Sequence, residues 1–139
     1  GLFPSEHNPS KALENSFACA IHILNIIKNG INPIFTKYSL PQISVKIGID
    51  HGDAIILVYG KNIEFAHIDL IGFSISIAAK ITSLASPNQI IVGENAYINM
   101  KDDQKKFFID LTSEKESKWD SVMKYNNDMK YRVFEYQKI

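Results

Sequence analysis

Along the first quarter of the chain, Leu13, Phe17, Ala20, Ile21, Leu24 and Ile27 recur at intervals of three and four, the period of one buried helix face. Asn8 suits the cap of that helix, and Pro9 falls where a missing N–H does no harm. Gly30 supplies a stop, so the pattern predicts a helix over residues 9–29. Cys19 and His22 on it read as core or flank residues rather than ligands. Residues 30–41, with Gly30, Pro33 and Pro41, read as a loop. The period then changes. Ile43, Val45, Ile47 and Ile49 alternate with Ser44, Lys46, Gly48 and Asp50, the mark of a half-buried strand. His51-Gly52-Asp53 reads as a turn and Ala54–Tyr59 as a nearly continuous apolar strand, so the two strands are expected to form a β-hairpin.

A short strand is expected around Ile63–His67. Residues 73–85 are locally ambiguous, since Ile75 and Ile77 favour a strand while Ala78 and Ala79 favour a helix. The spacing of Ile77, Lys80, Ile81 and Leu84 decides for a helix whose small residues pack closely on a sheet. Ser86-Pro87-Asn88 breaks it. Gln89–Val92 follows as a strand and Glu94–Met100 as a short helix. Lys101–Lys106 and Thr112–Lys118 are charged and expected to be solvated, around an apolar strand at Phe107–Leu111. Alternation over Met129–Tyr136 predicts the strand that closes the domain. The order α-β-β-α-β-α-β-β implies an α/β or α+β fold with helices laid on a sheet.

Composition narrows the function. The 139 residues suit one domain, and an apolar fraction of 45% suffices for a core. Fifteen basic residues balance fifteen acidic ones, and Arg132 is the single arginine, so the electrostatic footprint of a nucleic-acid binder is missing. No apolar run approaches the roughly 18 residues of a membrane span. Gly1-Leu2-Phe3-Pro4 lacks the basic flank and apolar centre of a signal peptide. A start without Met is expected of a piece of a longer protein. With Cys19 as the single cysteine there is no internal disulfide and no thiolate cage, and a reduced, cytoplasmic compartment fits.

Several chemical signatures are missing from the sequence. It has no P-loop, dinucleotide glycine fingerprint, HExxH or Gly-x-Ser-x-Gly elbow. The histidines at 7, 22, 51 and 67 are not spaced as ligands. Asp50-His51-Gly52-Asp53 has reactive residue types, but turns recruit Asp and Gly for backbone reasons.

One stretch carries more. Val45-Lys-Ile-Gly-Ile-Asp-His-Gly-Asp-Ala54 running to Gly60, then Ile68-Asp-Leu-Ile-Gly72, Ile75-Ser-Ile-Ala-Ala-Lys-Ile81 and Leu84-Ala-Ser-Pro-Asn-Gln-Ile-Ile-Val-Gly93, stand in that order. Together they resemble the second half of a class III nucleotidyl cyclase catalytic domain, the adenylate and guanylate cyclase family. Tyr131–Tyr136 is similar to the family's closing strand. The closest resemblance covers residues 43–93 and 129–136 within a single domain, 1–139. It implies a ferredoxin-like cyclase fold, a mixed sheet covered by helices, with the N-terminal strands missing.

The resemblance implies an activity as well. Such enzymes convert ATP or GTP to a cyclic nucleotide in signal transduction: the ribose 3′-hydroxyl attacks the α-phosphate and pyrophosphate leaves. Two divalent metals, Mg or Mn, held by two aspartates, activate the hydroxyl and draw charge from the phosphates. The cleft lies between two such domains, so a homodimer or pairing with another cyclase-type domain is implied. Asp69 falls on the base-contacting position, an acidic choice that accepts from the exocyclic amine of adenine, with Leu70 beside the ring. Ser76 stands where the family has its ribose-orienting Asn, and Lys80 where it has the Arg that neutralises the α-phosphate.

Those substitutions change the chemistry. A serine hydroxyl is shorter than an amide, and lysine keeps the charge but loses the planar fork that grips phosphate. Leu57 stands where the family commonly has Gly, a change of packing. Leu2-Phe3-Pro4 resembles the loop leaving the second metal-binding strand, and none of the eight residues before Pro9 is Asp. The expectation is therefore that no metal ligand lies in this chain and that residues 1–139 are inactive alone. The readings are the C-terminal part of a cyclase domain, a catalytically silent cyclase-like module for dimerisation or nucleotide sensing, and an unrelated domain matching by chance.

Overall fold

The computed structural model of the chain describes residues 1–5, 8–119, 124–125 and 129–137. Helix α1 (Pro9–Ile26) starts as expected. The Asn8 carboxamide oxygen accepts from the Lys11 N–H at 3.0 Å, and Ala12, Leu13, Phe17 and Ala20 are buried. Gly30 does not stop it. The chain passes through a π-helical turn (Ile27–Ile31) into α2 (Asn32–Lys37), so most of the expected 30–41 loop is helical. Pro33 lies in the first turn of α2, where proline is tolerated. The real stop is Ser39, left-handed at φ 54°, where the Leu40 N–H bonds back to the Phe35 carbonyl at 2.8 Å.

Strands β1 (Lys46–Ile49) and β2 (Ile55–Tyr59) follow, then a 3₁₀ turn (Ile63–Phe65), β3 (His67–Ile71) and α3 (Phe73–Leu84). The rest comprises β4 (Gln89–Gly93), α4 (Glu94–Asn99), α5 (Asp102–Lys105), β5 (Phe108–Asp110), α6 (Thr112–Trp119), β6 (Lys124–Tyr125), β7 (Met129–Lys130) and β8 (Val133–Tyr136). The main sheet has the order β1-β4-β8-β5. Its β1–β4 pair is parallel, with Ile47 opposite Ile90, and its other two pairs are antiparallel. Separate two-stranded ribbons join β2 to β3 and β6 to β7. This is the α+β architecture expected, a mixed sheet covered by helices.

Alternation along β4 divides the core. Ile90 and Val92 face α1, where Leu13, Phe17 and Ala20 join Phe108 and Phe134. Ile91 faces the other way, toward Ile77, Ile81 and Leu84 of α3. In β1, Ile47 and Ile49 pack on the α1 side, while Gly48 faces α3. A Cβ on Gly48 would lie 2.5 Å from the Thr82 backbone nitrogen and 2.7 Å from the Ala78 carbonyl oxygen. The close helix–sheet packing anticipated for the small residues of α3 rests on this missing side chain.

The expected hairpin of residues 43–59 is not formed. β1 pairs with β4, and β2 swings out to pair with β3, Leu57 opposite Asp69. The linker explains the difference. Asp50 is drawn toward the closing strand, and the next residues cross the start of α3 instead of reversing beside β1. There a Cβ on Gly72 would sit 2.7 Å from the Asp53 carbonyl oxygen, and the Ser74 hydroxyl donates to that same oxygen at 3.1 Å. The expected strand at Ile63–His67 is a 3₁₀ turn leading into β3. The expected closing strand over 129–136 is two strands with different partners, β7 and β8, because the chain breaks at Tyr131–Arg132. The charged stretch at Thr112–Lys118 forms α6, and Lys115 is buried against expectation. The side chains of residues 116–119 lie outside the described part.

Tyr131 turns that break into a latch. Its hydroxyl donates to the Asp50 carboxylate at 2.7 Å and accepts from the Asn95 N–H at 3.0 Å, while the Ala96 N–H donates to Asp50 at 3.4 Å. The end of β1, the first turn of α4 and the entry to β8 are thereby tied together. Burial raises the Asp50 carboxyl above the usual carboxylate range, partly offset by the Tyr131 hydrogen bond. A carboxyl raised in the folded state contributes stability that is complete below its unfolded pKa and is lost as pH rises through the folded one. In urea denaturation, the wild type should therefore gain stability relative to Asp50→Asn on acidification from neutrality to about pH 4, near the unfolded carboxylate value. A stability difference independent of pH contradicts this.

Candidate functional site

The four residues singled out from the resemblance lie on two consecutive elements. β3 carries Asp69 and Leu70, and after Gly72 alone the chain enters α3, which carries Ser76 and Lys80. Ile77, Ile81 and Leu84 hold α3 to the sheet. Ser76 and Lys80 are four residues apart and both exposed, so they form a row one turn apart on the helix face away from the core. Asp69 is also exposed, and one of its carboxylate oxygens accepts from the Leu70 N–H at 2.8 Å. Leu70 is half-buried. Among the described residues no hydrogen bond or ion pair joins Asp69 to Ser76 or Lys80. Each presents an open polar group: a carboxylate that accepts, a hydroxyl that does both, and an ammonium that donates.

Arg132 is not a substitute for the phosphate-neutralising arginine. Its Nε donates to the Glu94 carboxylate at 2.7 Å, and its guanidinium lies 5.4 Å from the centre of the Phe134 ring. That pairing commits its Nε beside the closing strand, and Lys80 is the cation of the α3 row.

Among the described residues the carboxylates do not fit a two-metal centre. Asp50 is committed to Tyr131 and Ala96, and burial favours its neutral form. Among the described residues no three His, Cys, Asp or Glu side chains converge on one point. Asp50, read from sequence as a turn residue, instead anchors the latch. Tyr131 was visible only as one more apolar position in an alternating run, since nothing in its neighbours signals a partner 81 positions away.

No described helix is long and apolar enough to cross a membrane. No curated protein matches the chain. The profile of the adenylate and guanylate cyclase catalytic domain matches residues 3–130. That span takes in α1, strands β1, β4 and β5 of the main sheet, the β2–β3 ribbon and all four candidate residues. The chain therefore belongs to the adenylate and guanylate cyclase catalytic domain family.

Proposed function

We propose that this chain supplies the base-and-phosphate half of a nucleotidyl cyclase cleft, acting on ATP in preference to GTP within a cytoplasmic signalling protein. The observation that carries the reading is the exposed row Ser76–Lys80 on a helix entered directly from the strand bearing Asp69. In this reading Asp69 accepts a hydrogen bond from the exocyclic amine of adenine, and Leu70 lies against the ring. The Ser76 hydroxyl orients the ribose. Lys80 offsets charge gathering on the α-phosphate, as a point charge where an arginine would grip two oxygens.

The described residues do not fit the divalent metals of the family reaction, so the cation-holding carboxylates are assigned to the complementary half. An open strand edge supports this. β1 ends the four-stranded sheet, yet α1 covers one of its faces and α3 the other, the surroundings of an internal strand. A further strand has room to add there. A second reading, a silent cyclase-like module that senses nucleotide or dimerises, is favoured by one observation: Ser76 offers a single donor where the family places an amide.

The β2–β3 ribbon supports pairing of domains. Ile56, Val58, Phe65 and Ile68 are between 61% and 77% exposed, and apolar side chains of this ribbon point to water on both faces. Apolar surface of that extent marks an interaction site. Self-association through the ribbon is the expected use.

Two outcomes are expected. The purified chain should bind a non-hydrolysable ATP analogue with Mn²⁺ without forming cyclic AMP from ATP, and Asp69→Ala should weaken the binding about tenfold, the value of one charge-assisted hydrogen bond. Equal binding by both proteins removes the base contact, and metal-dependent cyclic AMP formation overturns the assignment of the carboxylates. In light scattering the chain should be larger than a monomer, and Ile56→Asp with Val58→Asp should return it to monomer. A monodisperse wild-type monomer at high concentration contradicts self-association.

A further inference from the structure

A cleft of about 730 Å³ opens at the end of the sheet where β1 and β4 begin, between the last turn of α1, the π-helical turn, α2 and the chain leading into β1. That volume is within the range of small-molecule sites. Leu24, Ile27 and Pro33 give it an apolar side. The polar side is built of amides, with one cation, Lys28, and no acidic residue in the lining.

Some of these groups hold the wall. Asn32 uses both ends of its amide on the Ile43 backbone, at 2.9 Å each, and the Thr36 hydroxyl takes up the Gln42 amide at 3.1 Å. Asn88, left-handed at φ 63°, accepts from the Val45 N–H at 3.3 Å. The remaining capacity belongs to residues that line the cleft. Among the described residues the Asn25 amide and the Lys28 ammonium have no partner. The Gln42 carbonyl oxygen and the Asn88 amide nitrogen are likewise uncommitted. Lys28 and Ile27 stand on the π-helical turn, a widened geometry that recurs at functional sites.

We propose that this cleft binds a small planar organic anion of single charge bearing amide-type hydrogen-bonding edges. The Lys28 ammonium takes the charge, and Asn25, Gln42 and Asn88 supply paired donors and acceptors to the edge. Leu24, Ile27 and Pro33 cover the ring. None of the residues assigned to the nucleotide cleft takes part, so the proposal stands apart from that reading.

Orotate carries an imide edge and one carboxylate on a single ring, while uracil has the edge without the charge and acetate the charge without the edge. Calorimetric titration of the purified chain should show saturable binding of orotate, about tenfold tighter than either control. Lys28→Ala and Asn25→Ala should each weaken it by about tenfold, the loss of one charge-assisted or fully used amide contact. Lys37→Ala, on α2 but outside the cleft, should leave it unchanged. Absence of saturable orotate binding, acetate binding as tightly as orotate, or undiminished binding by Lys28→Ala overturns the proposal.

Discussion

The close approach of α3 to β1 is the contact on which the rest depends. A glycine at position 48 lets the helix backbone at Ala78 and Thr82 lie almost on the strand, and Ile77, Ile81 and Leu84 then sink into the core over Ile91. Any side chain on Gly48 would hold the helix away and open the closely packed interior around Ile81, which is fully enclosed. The same seating has a consequence on the far side of the helix. With the apolar face fixed inward, the positions one turn apart at 76 and 80 can only face outward. Packing thus decides the placement of the candidate chemistry.

The surroundings of that helix are uneven. On the sheet side, β4 is buried throughout from Ile90 to Gly93, and the latch of Asp50 and Tyr131 joins three elements that are remote in sequence. By contrast, the β2–β3 ribbon leaves the body at Asp53 and exposes apolar side chains along its length. A domain that functioned only as a compact monomer would have reason to cover such a ribbon. In the reading proposed above, the ribbon is the surface on which a paired domain sits, and the open edge of β1 accepts a further strand.

Much of this was legible from the order of residues. The helix at α1 was readable because its stripe is long and its cap is a conventional Asn-Pro start. α3 was readable because the spacing of Ile77, Lys80, Ile81 and Leu84 outweighs the strand preference of Ile75 and Ile77, and β4 because an apolar run follows a proline break. The failures share one cause: distant partners override local signals. Gly30 carries a stop signal, but the π-helical turn absorbs it and the helix continues to Lys37. The 43–59 alternation has the form of a hairpin, but β1 finds more burial beside β4 than beside β2. The closing alternation conceals its break because Tyr131 fits the period while spending its hydroxyl on Asp50. The candidate residues were legible only through resemblance. Composition and spacing alone leave Asp69, Ser76 and Lys80 as ordinary polar positions.

The central claim is that Asp69, Leu70, Ser76 and Lys80 face one nucleotide. Its most direct test is amide chemical-shift mapping of the isotope-labelled chain titrated with a non-hydrolysable ATP analogue and Mg²⁺. The account predicts shifts concentrated in residues 69–80, with Asp69 and Lys80 moving together along one binding curve. Saturable binding whose shifts leave those residues untouched, or that moves Asp69 without Lys80, would contradict it.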